Sequence, residues 1–167
     1  MSARSNFSKQ DELKAKLDSL DLSLLRLLQN DARLTNRQLA ARTGVAPSTS
    51  LDRVRGLVER GVISGFHAEV DLNVLGRSVQ ALISVRIRPP SRDRIEAFRD
   101  WVTQLPEVLG LFVTSGTEDF LIHVGVPDTD GLYAFVIDRL TERREIADVR
   151  TSVVYEHVRS RPVEPAP

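Results

Sequence analysis

The first apolar pattern in the chain recurs every three or four residues. It is carried by five leucines: Leu17, Leu20, Leu24, Leu27 and Leu28. That spacing predicts an amphipathic helix, which Asp18 can cap and which ends near residues 30–31. Residues 1–16 are polar and weakly periodic, so we expect a flexible N-terminal arm there.

A second helix is indicated by capping chemistry. Thr35 and Gln38 have the spacing of a capping box, in which each side chain binds the other residue's backbone N–H. The helix they begin runs to about Thr43, and Gly44 is suited to the left-handed conformation that ends a helix.

A third helix is predicted over Pro47–Arg60, with Gly61 as its stop. The apolar stripe expected to be buried comprises Leu51, Val54, Leu57 and Val58. Two short helices joined by a three-residue turn containing glycine predict a helix-turn-helix within residues 17–62. A plain αα-hairpin with no role in DNA binding has the same periodicity and remains the alternative.

The remaining apolar runs predict strands and helices in alternation. Residues 63–76 form a linker, with a candidate strand over Ile63–Val70 and a capped turn after it. Within 77–160 the predicted order is β-α-β-β-α-β, from the segments Val79–Ile87, 92–104, 108–114, Phe120–Val126, 132–140 and 149–158. That order is typical of a ferredoxin-like domain, so the whole chain is expected to be α+β. Residues 161–167 are proline-rich and are expected to be a disordered tail.

One face of this predicted sheet is left without cover. Its alternate residues, such as Leu82, Ser84 and Arg86, are only partly polar. A sheet face of that kind is expected to pair with another copy of the chain, so we predict a dimer at least.

Charge is distributed unequally along the 167 residues, although the formal net charge is zero. Residues 1–64 hold 11 Lys+Arg against 7 Asp+Glu, a balance of +4, which leaves −4 for the rest. This asymmetry favours an anionic partner for the N-terminal part, because phosphate binding needs a basic surface. A solvated, arginine-rich helical surface is the alternative interpretation.

The composition limits the classes of protein to which the chain can belong. Without cysteine the chain has no disulfide and no thiolate site, which favours a reducing cytoplasm. No run approaches the roughly 18 apolar residues of a membrane span, and the N-terminus does not resemble a signal peptide, so we expect a cytoplasmic protein without a membrane partner.

Nothing in the sequence predicts catalysis. The three histidines, His67, His123 and His157, lack the spacing of a metal site, and Ser115 lacks a Gly-x-Ser-x-Gly setting. We therefore expect no catalytic residue, no metal and no cofactor.

The third predicted helix carries the candidate DNA contacts. Small hydroxyl residues near its N-terminus suit phosphate or base contact, and arginines can bind phosphates or guanine edges. The candidate residues are Ser48, Thr49, Ser50, Asp52, Arg53 and Arg55, with Thr35 and Arg37 from the helix before.

These motifs, in this order, resemble the leucine-responsive/asparagine-regulator (Lrp/AsnC) family of transcription factors. The resemblance spans about residues 17–160 and includes Leu17-Asp-Ser-Leu-Asp21, Leu34-Thr-Asn-Arg-Gln-Leu-Ala40, Gly61-Val-Ile-Ser-Gly65, Gly116 and Asp119. It implies a dimeric or higher-order regulator that binds pseudo-palindromic DNA and senses a small effector, usually an amino acid. Dimers are expected to assemble into a tetramer or octamer. Ala46 and Gly56 depart from the family's usual capping serine and longer mid-helix residue.

For the effector, the resemblance implies the connection between the second and third strands. Backbone N–H groups of Ser115, Gly116, Thr117 and Glu118 can hold a carboxylate, and Glu118 or Asp119 an ammonium. Thr151 and Ser152 are candidates to add hydroxyls from a neighbouring subunit. The alternative is a plain hairpin turn with Gly116 at positive φ and Asp119 in a turn hydrogen bond.

Two other functions use the same fold or the same residues. One is a tetrapyrrole (siroheme) decarboxylase-like enzyme, which a saturable Soret shift on titration would reveal. The other is an architectural protein that wraps DNA with little sequence preference, for which the ratio of specific to non-specific affinity is diagnostic.

Overall fold

The computed structural model describes residues 17–158 and 162–166, which group into two compact units. One unit holds the chain up to Glu69 together with the C-terminal segment, and the other is Val70–Val158. The arm predicted over residues 1–16 lies outside the described residues. Within the described part, no helix is both long and apolar enough to cross a membrane.

Three helices make up the N-terminal unit: α1 (Ser19–Asn30), α2 (Asn36–Thr43) and α3 (Pro47–Glu59). The predicted caps are present, since Asp18 accepts the N–H of Asp21 at 2.9 Å and Thr35 forms its capping box with Gln38. Gly44 ends α2 at a φ of 71°, in the left-handed region.

The core of this unit centres on three fully or nearly buried leucines, Leu24, Leu39 and Leu57, one from each helix. The buried stripe predicted for α3 is partly wrong. Leu51 and Val58 are 37% and 44% exposed, because α3 turns Ser50, Val54 and Leu57 inward instead.

The strand predicted at Ile63–Val70 is absent: these residues form irregular structure without sheet pairing. Alternating side chains make a strand only where a second strand supplies the ladder hydrogen bonds, and the described chain supplies none here. The turn that follows is present, with the Asp71 carboxylate accepting the N–H of Asn73 at 2.9 Å.

The second unit is a four-stranded antiparallel sheet with helices on one face. The elements are β1 (Val79–Ile87), α4 (Arg92–Val102), β2 (Val108–Val113), β3 (Phe120–Val126), α5 (Thr129–Ala134), a π-helix (Phe135–Thr141) and β4 (Ile146–Val154). The strand order is β2-β3-β1-β4, the ferredoxin-like arrangement expected from the sequence.

Buried and partly buried residues alternate along β1, and this alternation distinguishes the two faces of the sheet. Ala81, Ile83, Val85 and Ile87 are fully buried on the helix side, where the rings of Phe98 and Phe120 lie 4.7 Å apart. Residues between them lie on the opposite face, on which the described residues place no helix.

The largest differences from the sequence prediction concern β4 and the last helical segment. β4 begins three residues earlier than predicted and ends at Val154 rather than Val158, after a register shift opposite Arg86 and Ile87. The last helical segment is a π-helix over Phe135–Thr141 rather than an α-helix.

The tail predicted as disordered over 161–167 makes specific contacts where the structure describes it. Residues 162–166 lie against α1, with the backbone N–H of Val163 donating to the Gln29 side chain at 2.8 Å. A contact between residues this far apart in sequence leaves no trace in local composition. Residues 161 and 167 lie outside the described part of the chain.

Candidate DNA-binding and effector sites

The N-terminus of α3 is open to a ligand. Ala46 stands at the N-cap position and supplies no side-chain cap, so the N–H groups of the first turn are left for an outside acceptor. The side-chain amide of Asn36 donates to the Pro47 carbonyl at 2.7 Å, which fixes the start of α3 against α2.

The outward face of α3 carries most of the predicted DNA contacts. Ser48, Thr49, Asp52 and Arg55 are all exposed there. Arg37 on α2 is exposed as well, and within the described residues neither it nor Arg55 forms an ion pair. Thr35 is exposed, but its hydroxyl is used within the capping box of α2.

Ser50 does not belong to this face. Its residue is fully buried and its hydroxyl has no hydrogen-bond partner in the described chain. The prediction that Ser50 contacts DNA is therefore wrong, because the helix turns this position into the core of the unit.

Arg53 points toward α1 rather than outward. Its guanidinium lies 2.6 Å from the carboxylate of Asp18 and 3.3 Å from that of Asp21, which is fully buried. The hydrogen bond to Asp18 raises the pKa of Arg53 above its ordinary value. Arg60 reaches the second oxygen of Asp21 at 3.2 Å, so two arginines meet at one buried carboxylate.

This cluster was not predicted from the sequence, although one signal was available. Arg53 and Arg60, the residue just past the end of α3, are seven positions apart and so lie on the same side of the helix axis, while Arg55 lies on the other. An aspartate on the apolar side of α1 was the partner to look for.

The connection between β2 and β3 is a tight turn. Gly116 has a φ of 126°, which L side chains rarely adopt, and the Thr114 hydroxyl donates to the Glu118 carbonyl at 2.7 Å. Within the described residues, the N–H groups of Ser115, Gly116, Thr117 and Glu118 donate to no protein atom.

Asp119 is tied to the end of β1. One carboxylate oxygen accepts the N–H of Ile87 at 2.7 Å and lies 3.7 Å from the guanidinium of Arg88. The Asp119 side chain therefore bonds to the end of β1 and does not form, within the described residues, the turn hydrogen bond of the alternative interpretation.

Glu118 has a partner that the sequence did not suggest. One carboxylate oxygen is bound by Arg150 of β4, and the other is buried without a hydrogen bond in the described chain. Alternation along β4 was the available signal, since it places Arg150 and Ser152 on one face, opposite Ser84 and Leu82 of β1. Thr151 lies on the other face, so the two predicted hydroxyls do not point to one site within the chain.

The histidines show no metal-binding arrangement. The His123 ring lies 2.9 Å from the Gln80 amide oxygen and packs edge-on against His157 at 5.9 Å. No group of three His, Cys, Asp or Glu residues in 17–158 and 162–166 is placed to hold a metal ion.

Two family models match the chain, one for each unit. Residues 17–64 match a winged helix-turn-helix DNA-binding model, and residues 80–164 match the Lrp/AsnC ligand-binding domain. The chain belongs to the Lrp/AsnC family of transcriptional regulators. The resemblance drawn from the sequence motifs is thereby confirmed.

Relatives in this family match over most of their length. The regulator AldR of Mycobacterium tuberculosis is 38% identical over 152 residues, covering 91% of this chain and 85% of that protein. The leucine-responsive regulatory protein of Escherichia coli is 32% identical over 143 residues, covering 86% and 87%.

Solved structures of Lrp/AsnC regulators have the same fold. A transcriptional regulator from Neisseria meningitidis, solved as a complex with L-methionine, superposes with a TM-score of 0.82 at 31% identity, covering 90% of this chain and 97% of that one. AsnC from Escherichia coli superposes with a TM-score of 0.78 at 27% identity, covering 89% and 99%. The predicted helix-turn-helix and ferredoxin-like domains are both confirmed.

Proposed function

We propose that this Lrp/AsnC regulator binds pseudo-palindromic operator DNA as a dimer or higher oligomer, and that an amino acid modulates the binding. The proposal is carried by the outward face of α3, where hydroxyls, an uncapped helix N-terminus and unpaired arginine side chains occur together. Each of these groups binds phosphate or base edges, and in the described part of the chain neither Arg37 nor Arg55 forms an ion pair with a carboxylate.

Within this face we assign distinct roles to the candidate residues. Ser48 and Thr49, next to the open N–H groups of α3, bind a backbone phosphate. Arg55 lies further along the same exposed face and reaches toward the major groove, with Asp52 beside it as an acceptor for a cytosine amino group. Arg37 at the start of α2 contacts the flanking backbone, and Thr35, whose hydroxyl stays in the capping box, contacts it only through its remaining exposed surface.

The test is operator affinity measured by fluorescence anisotropy, with a duplex selected from a random library. Replacing Arg55 or Arg37 by alanine is expected to weaken binding at least tenfold. The matched control is Arg144→Ala, an exposed arginine of the other unit, which should leave affinity unchanged. Equal affinity of the double variant Arg37→Ala/Arg55→Ala and the wild type would disprove this interface.

We propose that the helix-free face of the sheet is covered by a second copy. Phe112 is 59% exposed there and pairs with Leu121 of β3, which lies opposite Ser84 of β1 and diagonal to Leu82. An apolar strip in this position is buried on dimerisation, which sets two recognition helices one DNA turn apart. Dimers that assemble further, into a tetramer or octamer, would bind more than one half-site pair.

For the effector we propose the turn around Gly116. A ligand carboxylate would accept from the N–H groups of Ser115–Glu118, and the free oxygens of Glu118 and Asp119 would bind its ammonium. Ser152, on the same sheet face as Arg150, would add a hydroxyl, and Thr151 would do so only from a neighbouring subunit.

The effector site is tested by thermal-shift measurements with each of the twenty amino acids. Asp119→Asn keeps an oxygen for the N–H of Ile87 but removes the negative charge, so it should abolish a ligand-induced shift while preserving the ligand-free melting temperature. A shift of undiminished size in this variant would place the ammonium elsewhere. In this function the chain acts without catalysis or cofactor, in the cytoplasm where the DNA lies.

A further inference from the structure

The described C-terminal residues are held on α1 by a specific set of bonds. The side-chain amide of Gln29 binds both backbone groups of Val163, accepting its N–H at 2.8 Å and donating to its carbonyl at 3.1 Å. One turn earlier, Arg26 donates to the Glu164 carboxylate from two nitrogens, each at 2.7 Å.

We propose that the outer face of α1, formed by Arg26 and Gln29, is a docking site for residues 162–166 of the same chain. Through this docking the segment that follows the ligand-binding unit in the chain is held on a helix of the DNA-binding unit. The inference rests on the proposed function, since it assigns a route by which an effector bound beside β4 changes operator affinity.

The tail is suited to this site by composition. Pro162 and Pro165 flank the two bound residues and favour an extended conformation before docking, which lowers the entropy lost on binding. Arg26 and Gln29 are three residues apart on the helix, so their side chains share one face and meet consecutive tail residues.

The order of the bonds fixes the direction of the tail. Val163 binds Gln29 and Glu164 binds Arg26, so the tail runs toward the N-terminus of α1. Three extended residues advance roughly 9 Å, and six helical residues rise by about the same distance. Ala166 is therefore level with Ser23.

Docking of this kind is reversible. Side chains of Arg26 and Glu164 are 62% and 47% exposed, and exposed ion pairs of that sort hold only weakly. The covalent connection through β4 keeps the tail at a high local concentration, so a weak site is occupied until a change at β4 withdraws it. Ser152 and Arg150 of β4 lie about ten residues before the tail begins.

Cross-linking provides the direct test, because the chain has no cysteine of its own. In the full-length Ser23→Cys/Ala166→Cys variant, a short bismaleimide is expected to link the two positions within one chain. The matched control is Asp31→Cys/Ala166→Cys, at the far end of α1, which should link at least tenfold less. Equal linking of both pairs, or linking mainly between two chains, would overturn docking as proposed.

Variants of the site separate docking from fold. Gln29→Ala/Glu164→Arg should abolish the Ser23–Ala166 link, and Arg26→Glu combined with Glu164→Arg should restore it. Operator affinity is then measured with each of the twenty amino acids added singly. An amino acid that changes the operator affinity of the wild type should change the affinity of the undocked variant by less than twofold. The charge-swapped variant should recover the change seen in the wild type.

Retention of the full amino-acid effect in the undocked variant would overturn the coupling. If no amino acid alters the affinity of the wild type, the effector part of the proposed function fails, and the coupling role of the tail fails with it. The cross-link still decides docking by itself.

Discussion

Asp21 and Arg60 meet inside the DNA-binding unit, where the fully buried carboxylate of α1 lies 3.2 Å from the guanidinium just past the end of α3. Arg53 reaches the other oxygen of the same carboxylate at 3.3 Å. The helix proposed to bind DNA is thus anchored to α1 along one side by charge, and its opposite side is left for the operator.

Removing the shared carboxylate should destabilise the unit. In Asp21→Ala both arginines lose a buried partner, and we expect the free energy of unfolding to fall by about 1–3 kcal/mol. Urea denaturation followed by circular dichroism measures the change. Asp52→Ala, an exposed aspartate on α3, is the control and should stay within about 0.5 kcal/mol of the wild type. An unchanged midpoint for Asp21→Ala would mean that the cluster does not stabilise α3.

Arg53 and Arg55 should differ in the salt dependence of operator binding. Arg55→Ala removes a phosphate or base contact, so it should weaken affinity and lower the slope of log K against log [salt] by about 1. Arg53→Ala should weaken affinity through the position of α3 and leave the slope unchanged. Anisotropy titrations at several salt concentrations measure both, and a reduced slope for Arg53→Ala would show that Arg53 itself binds DNA.

The N-cap of α1 predicts a dependence on pH. The N–H of Asp21 and the guanidinium of Arg53 hold the pKa of Asp18 below the ordinary aspartate value of about 4. A carboxylate with a lowered pKa stabilises the fold above its unfolded-state pKa, and that stability is lost as the pH falls through the folded-state pKa. Asp18→Asn keeps a capping side chain but loses the charge.

We therefore expect Asp18→Asn to be less stable than the wild type at pH 6 and equally stable near pH 2. Urea midpoints across that range measure the difference. A gap between the two proteins that stays constant with pH would contradict the assigned pKa shift.

Gly56 should tolerate a side chain, unlike Gly44. A Cβ added at Gly56, within α3, meets no atom within 4 Å. Gly56→Ala should therefore raise the free energy of unfolding by about 0.5–1 kcal/mol through helix propensity. Gly44 has equal space but a φ of 71°, so Gly44→Ala should lower it by about 1–2 kcal/mol. Thermal and urea unfolding of the two variants should thus shift in opposite directions.

Phe112 and Val113 provide a matched pair for the proposed dimer. They are 59% and 57% exposed on adjacent positions of β2, but they point to opposite faces of the sheet. Phe112→Lys should shift the protein toward monomer in size-exclusion chromatography with light scattering, whereas Val113→Lys should not. A dimer that survives Phe112→Lys and dissociates with Val113→Lys would place the interface on the other side.

Sequence patterns predicted the bounds of an element correctly where turn residues flank that element. The bounds of β1 and β3 agree with the prediction because turn residues follow Ile87 and precede Phe120. β4 was misplaced by three residues at its start, since its register depends on a bulge opposite Arg86 and not on its own alternation. The strand expected at Ile63–Val70 is absent because a strand also needs a second strand with which to pair.

The residue types at the candidate sites could be predicted from the sequence, but the directions in which their side chains point were harder to predict. Both Arg53 and Arg55 fit a DNA-binding helix, and only the rotation of α3 separates an anchor from a contact. The same rotation moves Ser50 into the core. Glu118 was found from its loop, whereas Arg150 could be recognised as its partner only once the sheet order joined β4 to β1.

The π-helix of the second unit allows this segment of the chain to differ in length between members of the family. Its hydrogen bonds join residues five apart, so Phe135 and Leu140 lie on one face and are both buried. In an α-helix the same face is shared by residues four apart. A homologue one residue shorter between these positions can therefore form an ordinary helix and keep both core side chains, so insertions and deletions here are compatible with an unchanged core.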